Sequence, residues 1–294
     1  MFTSILVGLD GSLQSQVALA QSILIGQRFR ARLVLLHVIP GPGHTGEMAL
    51  GAPWMEFTDA NMPTTRADLV QAAVDMLEDA AGAVRRAGLE VETRIREGPA
   101  IEVLREMADQ VGVVVVGRKG IRGELALMND DPIGPDTRGL ARRSSRPILV
   151  TGLVPSPMDR VLIAYDGSPN SETALAFGSR FAGITGAHLD VLHVGTDQPE
   201  GRKTLARASG ALSVAQLDFD THFIEGELES AIPETIARLG SNALFVGAHR
   251  DESGWQIPSH TEVILRATDI PVLIHMQPVP PGASSYTAHR RTPS

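Results

Sequence analysis

The chain contains the same short motif twice, and this repetition sets the strongest limit on its fold. Residues 5–12 read ILVGLDGS and residues 161–168 read VLIAYDGS, each an apolar run that ends in Asp-Gly-Ser. A second pair, LVLLHV at 33–38 and LDVLHV at 189–194, is separated by the same number of residues as the first. Two strand-like segments that share one offset are typical of a duplicated domain. Any functional site should therefore be sought at corresponding points of both halves.

Three later segments extend the repeat and show that the second copy is shorter, mostly between residues 39 and 66. The matching pairs are REGPA 96–100 with IEGEL 224–228, VVVVG 113–117 with ALFVG 243–247, and RPILV 146–150 with IPVLI 270–274. The repeat predicts a first domain over 1–152, a linker over 153–158 and a second domain over 159–276. A Pro-rich, disordered tail is predicted over 277–294.

Composition excludes several classes of protein. The 294-residue chain is 43% hydrophobic and 20% charged, so each half can bury a core without disulfides or a structural metal. Its formal net charge of −8 argues against a nucleic acid or an anionic membrane as a partner. Cysteine is absent, which rules out thiolate nucleophiles and cysteine-ligated metals. No apolar run approaches the roughly 18–20 residues of a membrane span, and we expect a cytoplasmic protein.

Short Val/Ile/Leu runs alternate with segments of helical periodicity in both halves. In the first half these runs span 3–9, 33–38, 91–96, 111–117 and 147–151. Mainly apolar runs of this kind are typical of strands covered on both faces. Between them, Thr65 and Asp68 form a capping-box-like helix start, Gly88 marks a stop and Pro99 suits a first helical turn. The pattern predicts two repeated doubly wound parallel five-stranded sheets flanked by helices, with ligands at the carboxyl ends of the strands.

Residues 40–64 are rich in Gly, Pro and Met and have no counterpart in the second copy. One interpretation is a mobile excursion without chemistry, and the other is a lid or a contact surface over the first site. The sequence leaves both open.

Two aspartates that follow the first strand of each half are the first candidate ligand-binding residues. Asp10 and Asp166 each precede Gly-Ser at the predicted carboxyl end of the strand. An aspartate there either satisfies amides at the start of the next helix or faces the ligand crevice, where it accepts hydrogen bonds from a ribose or a base. The sequence favours neither interpretation.

A glycine-rich stretch after the fourth predicted strand is the second candidate. Gly117-Arg-Lys-Gly120 is followed by Gly134-Pro-Asp-Thr137, which leads into a helix. Glycines let a backbone approach phosphate closely, and a helix amino terminus offers N–H groups and a positive dipole end. Lys119 and Thr137 would add a cation and a hydroxyl. Glycine-rich turns are common between strands and helices, so this signal is weak by itself.

Together these motifs resemble the universal stress protein family, in a tandem arrangement with two domains in one chain. The resemblance covers nearly all of residues 1–276 and implies a Rossmann-like, adenine-nucleotide α-hydrolase-like fold. ATP-binding members of that family carry G-x2-G-x9-G-[ST] after the fourth strand, so the resemblance implies ATP, with or without Mg²⁺, as the cofactor. Carried over, Asp10 and Val38 would contact ribose and adenine. The residues implied to line the phosphates are Gly117, Gly120, Gly134 and Thr137.

The first half departs from that family pattern at three points. Thirteen residues separate Gly120 from Gly134, where nine are typical, and Pro135 stands where the family has a hydroxyl residue. Proline also lacks a backbone N–H, although Thr137 falls on another hydroxyl position of the family. The acidic pair Asp130-Asp131 brings negative charge toward the supposed phosphate site, which would weaken binding or recruit Mg²⁺.

The second half has lost more of the pattern. Its counterpart of the glycine stretch has Arg250 and Pro258 in place of two glycines. The positions that still match the family are Asp166, Val194, Gly247 and Ser259. The sequence therefore favours a second domain that keeps the fold and serves as a partner of the first, over a second nucleotide site.

The resemblance also implies how the chain assembles. In the family the last strand often joins domains, so the resemblance implies that the apolar strands near 150 and 274 bring the halves together as an intrachain pseudo-dimer. It also implies a homodimer of the whole chain.

His37 and His193 occupy matching places and are interpreted as packing or turn residues. The other histidines show no HxxxH or HExxH spacing, so the sequence predicts no metal site.

Three functions follow from these observations. The favoured one is a stress-response or signalling module that senses ATP in its first half. An enzyme such as a nucleotidyl transferase would need HIGH-like, KMSKS-like, SGGxDS or Walker-type loops, which do not occur, so no catalytic residue is predicted and at most slow ATP hydrolysis. The runner-up is a nucleotide-independent interaction scaffold, which Pro135, Arg250 and Pro258 favour.

Overall fold

A computed structural model of the full chain describes residues 2–39, 41, 65–120, 131–144, 146–248 and 260–276. Most of the 40–64 excursion and the whole 277–294 tail lie outside the described residues, so their predicted roles stay predictions. The same holds for four residues of the sequence argument, namely Asp130, Arg250, Pro258 and Ser259.

The first half alternates strands and helices as the periodicity predicts. Its elements are β1 (Ser4–Gly8), α1 (Leu13–Phe29), β2 (Arg32–Ile39), α2 (Arg66–Arg86), β3 (Val91–Glu97), α3 (Ala100–Ala108), β4 (Val113–Val116), α4 (Pro135–Arg143) and β5 (Ile148–Val150). The second half repeats this order with β6 (Arg160–Ala164), α5 (Pro169–Thr185), β7 (His188–Gly195), α6 (Gln198–Val214), β8 (Phe219–Glu225), α7 (Leu228–Leu239), β9 (Ala243–Ala248), α8 (His260–Ala267) and β10 (Val272–Met276).

The strands form one continuous ten-stranded sheet rather than two separate sheets. Its order is β3-β2-β1-β4-β5-β10-β9-β6-β7-β8, so each half contributes the same five-strand arrangement. Pairing within each half is parallel, which confirms the predicted doubly wound α/β class. The halves meet where β5 and β10 pair antiparallel, with Leu149 opposite Leu273.

Local sequence explains where the helices start and stop. The predicted capping box at α2 is confirmed, since the Thr65 side chain accepts from the Asp68 amide and the Asp68 carboxylate accepts from the Thr65 amide. Gly88 follows α2 with a φ of +79°, a left-handed conformation that favours glycine. Pro99 lies one residue earlier than predicted, as the N-cap residue of α3 instead of a member of its first turn.

Buried side chains form two main clusters, and each draws residues from both halves. One cluster contains an aromatic contact between the halves, since the rings of Phe29 and Phe181 lie 5.6 Å apart. The linker is fixed on the same side, because Ser156 N–H donates to Gln21 Oε1 (2.7 Å) and Gln21 Nε2 donates to Ser156 O (3.0 Å). Gln21 is fully buried, so both bonds are shielded from water. The second cluster lies under α3, α4, α7 and α8.

Among the described residues, no helix combines the length and the apolar character that crossing a membrane requires.

Candidate functional site

The turn after β1 is shaped by Asp10. Its Oδ1 accepts hydrogen bonds from the Ser12 amide (3.1 Å) and the Ser12 hydroxyl (2.6 Å). Ser12 in turn caps α1 by accepting from the Ser15 amide (3.0 Å). Gly11 between them has a φ of +83°, which only glycine adopts without strain. One carboxylate oxygen of Asp10 therefore stabilises the turn, as the helix-start interpretation expects.

A buried histidine fixes the strand end that carries this turn. His37 Nδ1 lies 2.7 Å from the carbonyl oxygen of Leu9, and burial lowers the pKa of His37, although this hydrogen bond and Asp10 act in the opposite direction. A neutral ring donates through Nδ1 in this geometry. The second half repeats the contact, with His193 Nδ1 2.9 Å from Tyr165 O. Both histidines make the structural backbone contact that the packing or turn interpretation requires.

The glycine-rich segments converge on Asp10. A β-carbon added at Gly120 would lie 2.6 Å from Asp10 Oδ2, so the backbone of Gly120 passes directly beside the carboxylate. A β-carbon added at Gly134 would lie 3.5 Å from the Gly120 nitrogen, and Gly134 N–H donates to Arg118 O (2.8 Å). Three chain segments thus meet at the carboxyl ends of β1 and β4, although the spacing between Gly120 and Gly134 is longer than in the family pattern.

Two of the predicted phosphate-lining positions have a clear packing role. A β-carbon at Gly117 would lie 2.8 Å from the Gln14 Cβ, because β4 passes close to the start of α1. The Thr137 hydroxyl donates to Gly117 O (2.9 Å), and Thr137 is buried. Both residues hold the loop in shape, and their contact with a phosphate stays a prediction.

The local structure explains why a proline stands at position 135. Gly134 is the N-cap residue of α4 and Pro135 occupies the first helical position. Proline is favoured there because its missing N–H would have no partner within the helix and its fixed φ suits the first turn.

Val38, the predicted adenine contact, lies near the end of β2 and packs partly buried against the second cluster.

Two residues of this region contact α8, which belongs to the second half. No sequence pattern indicates either contact. Arg118, between the first two glycines of the motif, is buried and its guanidinium donates to the Leu265 carbonyl oxygen. Burial lowers the pKa of Arg118, and Asp269 acts in the opposite direction. Asp131 accepts from Arg266 Nη2 at 2.9 Å and pairs with Arg138 Nη1 at 3.0 Å. Asp131 carries part of the negative charge that the sequence predicts near the phosphate site. That charge is thus paired with Arg138 and Arg266.

This pairing predicts a pH-dependent contribution to stability. The hydrogen bond from Arg266 lowers the pKa of Asp131 from 3.8 to about 2. A lowered folded-state pKa stabilises the protein above the unfolded value, and this stability is lost as the pH falls through about 2. Asp131→Asn should therefore reduce the free energy of unfolding at pH 7 by about 1–2 kcal/mol. Urea unfolding of both proteins should show this difference shrinking below pH 4, whereas a constant difference would contradict the prediction.

The turn after β6 repeats the first site in outline. Asp166 Oδ1 accepts from the Ser168 amide at 2.9 Å. Burial acts to raise the pKa of Asp166, but hydrogen bonds involving Ser168 and Ser171 outweigh it and lower the pKa. A β-carbon at Gly247 would collide with the Asn170 carbonyl and lie 2.6 Å from the Ser171 nitrogen, the counterpart of Gly117 against α1. Val194, like Val38, packs partly buried against the second cluster.

An arginine lies against this second turn. Arg207 Nη2 donates to Glu172 Oε1 (2.6 Å) and to Gly167 O (3.3 Å). The Tyr165 hydroxyl donates to the same Glu172 oxygen, and burial with this bond raises the pKa of Tyr165 to about 12. In the aligned DGS motifs, Leu9 and Gln16 occupy the first-half positions of Tyr165 and Glu172. The first half therefore lacks the two side chains that hold an arginine at this place.

The model of the universal stress protein family matches residues 1–152 and 157–275, which together are most of the chain. The chain belongs to the universal stress protein family. A universal stress protein of Synechocystis is 28% identical over 238 residues, which are 79% of this chain and 80% of the relative. One of Mycobacterium tuberculosis is 28% identical over 198 residues, which are 66% of this chain and 64% of the relative.

Two solved structures share the fold. One from Archaeoglobus fulgidus matches with a TM-score of 0.74 at 17% identity, covering 94% of this chain and 98% of that one. A functionally unknown protein from Pseudomonas aeruginosa matches with a TM-score of 0.63 at 20% identity, covering 94% and 93%. The Arg207 contact is a difference between the two halves of this universal stress protein.

Proposed function

We propose that this universal stress protein binds ATP in its first half and acts as a nucleotide-sensing stress-response module, with the second half as an attached partner domain. The observation that carries the proposal is the meeting of Asp10, Gly120 and Gly134 at the carboxyl ends of β1 and β4, where open α/β sheets bind ligands. Glycine backbone beside a carboxylate leaves room for a ribose and a phosphate chain to approach the main chain. The proposed contacts are the residues that the family pattern assigns, with Mg²⁺ as a phosphate-bound companion ion.

The second half is the weaker candidate for a nucleotide. Its counterpart of the glycine stretch has Arg250 and Pro258 in place of two glycines, and its first turn carries the Arg207–Glu172 pair on the Gly167 backbone, which the first half lacks. The pairing of β5 with β10 instead supports a role for this half as an intrachain pseudo-dimer partner. The homodimer of the whole chain and its cytoplasmic location stay predictions.

One observation favours a second candidate function, a scaffold that works without nucleotide. Asp10 Oδ1 is engaged by Ser12, and the Thr137 hydroxyl is engaged by Gly117 O. Polar groups that already have hydrogen-bond partners in the protein gain less free energy from a hydrogen bond to a ligand. Measured binding separates the two candidates.

The test compares two aspartates in equivalent turns. ATP·Mg²⁺ is titrated by calorimetry into nucleotide-free wild type, Asp10→Ala and Asp166→Ala. Both variants lose a hydrogen bond from the serine amide two residues on, so Asp166→Ala controls for the loss of that turn contact, and Asp10→Ala also loses the bond from the Ser12 hydroxyl. We expect one ATP per chain, with affinity reduced at least about tenfold in Asp10→Ala, since a hydrogen bond to a charged group contributes about 1.5–3 kcal/mol, and unchanged in Asp166→Ala.

Other outcomes would reassign the function. Equal loss in Asp166→Ala, or two ATP per chain, would contradict the assignment to the first half. No heat of binding at millimolar ATP, together with no rise in melting temperature, would favour the scaffold.

A further inference from the structure

A second cluster of titratable side chains lies at the opposite end of the sheet from the proposed nucleotide site. It is formed where β6, β7 and β8 begin, on one face of the sheet, because alternate residues of a strand share a face. Asp190 stands opposite Asp220 in the β7–β8 register, and His188 stands opposite Arg160 in the β6–β7 register. None of these residues takes part in the function proposed above.

Asp190 is the fixed centre of the cluster. It is fully buried, and Arg160 binds both of its oxygens, with Nε 2.8 Å from Oδ2 and Nη2 3.0 Å from Oδ1. His222 Nε2 lies 2.8 Å from the same Oδ1. A buried carboxylate with these partners is held in one orientation.

His188 points a ring nitrogen between two carboxylates. Its Nδ1 lies 2.8 Å from Asp218 Oδ2, which orients the ring and places a proton on Nδ1. Its Nε2 is buried without a hydrogen-bond partner among the described residues, 3.3 Å from Asp220 Oδ2 and 3.6 Å from Asp190 Oδ1. A nitrogen lone pair facing two carboxylates is unfavourable unless a cation lies between them.

The two separations between His188 Nε2 and the carboxylate oxygens match the coordination shell of a small divalent transition metal. Zinc bonds of about 2.0–2.2 Å to nitrogen and oxygen in tetrahedral geometry place ligand atoms about 3.3–3.6 Å apart. One ligand atom from each of His188, Asp190 and Asp220 lies within 4.8 Å of the others. A carboxylate that receives the second ring N–H of a ligating histidine, as Asp218 does, is the usual outer partner of such a site.

The site also has access to solvent. β8 is the last strand of the sheet, and the side chain of Asp220 is 63% exposed. An ion can therefore enter from the sheet edge without unfolding.

We propose that His188 Nε2, Asp190 and Asp220 bind a divalent transition-metal ion, with Zn²⁺ as the best-fitting ion. The histidine spacing predicts no metal site because HxxxH and HExxH patterns describe ligands along one helix, whereas these ligands come from two neighbouring strands.

Calorimetry with ZnCl₂ on the full chain, treated with a chelator and then freed of it, tests the proposal. We expect one Zn²⁺ per chain, with affinity reduced at least about 100-fold in Asp220→Asn and His188→Gln and about tenfold in Asp218→Asn, which removes the outer partner. Asp79→Asn, an exposed change on α2, should leave the affinity unchanged. Co²⁺ substitution should give the intense visible absorption of a tetrahedral site in wild type and not in the two ligand variants.

Two results would overturn the proposal. One is the absence of Zn²⁺ binding at micromolar concentration, which would show that these side chains do not form a metal site. The other is binding that Asp220→Asn and His188→Gln both retain, which would place the ion elsewhere. Because Asp220 is exposed, Asp220→Asn should fold, as circular dichroism can verify, and it carries the test even if His188→Gln does not fold.

Discussion

Gly247→Ala should reduce the free energy of unfolding by about 3 kcal/mol or more, or prevent folding, because the new methyl group has no room. The added carbon would collide with the Asn170 carbonyl and lie 2.6 Å from the Ser171 nitrogen. These are backbone atoms in the first turn of α5, so relief requires β9 and α5 to move apart. Neither can move easily, since β9 is paired on both sides. Urea unfolding followed by circular dichroism measures the loss.

The chain offers a matched control in Gly210→Ala, the same substitution with the opposite expected sign. Gly210 lies inside α6, where an added carbon meets no atom within 4 Å. Alanine should stabilise that helix by about 0.5–1 kcal/mol, since glycine has the greater backbone entropy to lose. Equal effects of the two substitutions would contradict the packing explanation of Gly247.

Phe181→Ala should cost about 3–5 kcal/mol, the usual range for removing a buried phenylalanine. The Phe181 ring is buried and lies 5.6 Å from the ring of Phe29 and 5.3 Å from that of Phe245. Since Phe29 belongs to the first half, the substitution removes contacts within the second half and contacts between the halves. We expect the urea midpoint of the whole chain to fall.

A second residue separates those two contributions. In a double-mutant cycle of Phe181→Ala with Phe29→Ala, a direct contact should give a coupling energy of about 0.5–1.5 kcal/mol. Strictly additive losses would show that Phe181 and Phe29 do not stabilise each other. A Phe181→Leu variant should recover most of the loss because it refills most of the volume.

Much of the fold was readable from the sequence because its signals are local. The Asp-Gly-Ser motif predicted the turns at Asp10 and Asp166, and the capping box at Thr65 fixed the start of α2. Apolar runs predicted the inner strands covered on both faces, whereas β3 reads VETRIRE and lies partly exposed at the sheet edge. Pro99 lies one residue before the predicted first turn, because its fixed φ, −66° here, is also compatible with the extended conformation of the N-cap residue.

The site was harder to predict where its geometry depends on contacts across the chain. The sequence placed Gly120 and Gly134 at one loop, but not the passage of Gly120 beside Asp10. The Arg118 contact with Leu265 joins the two halves, and no local pattern indicates it. Arg207 likewise belongs to a helix that only the tertiary fold brings onto the second turn.

The antiparallel junction of β5 and β10 has a consequence for how the two domains find each other. Two separate chains pair to an extent set by their concentration, whereas domains in one chain meet at an effective concentration fixed by the linker. Here that linker is held against α1 by Gln21, and the strands it serves form the middle of the sheet. Dilution therefore does not separate the domains, and each is free to change its own surface while its neighbour stays in place.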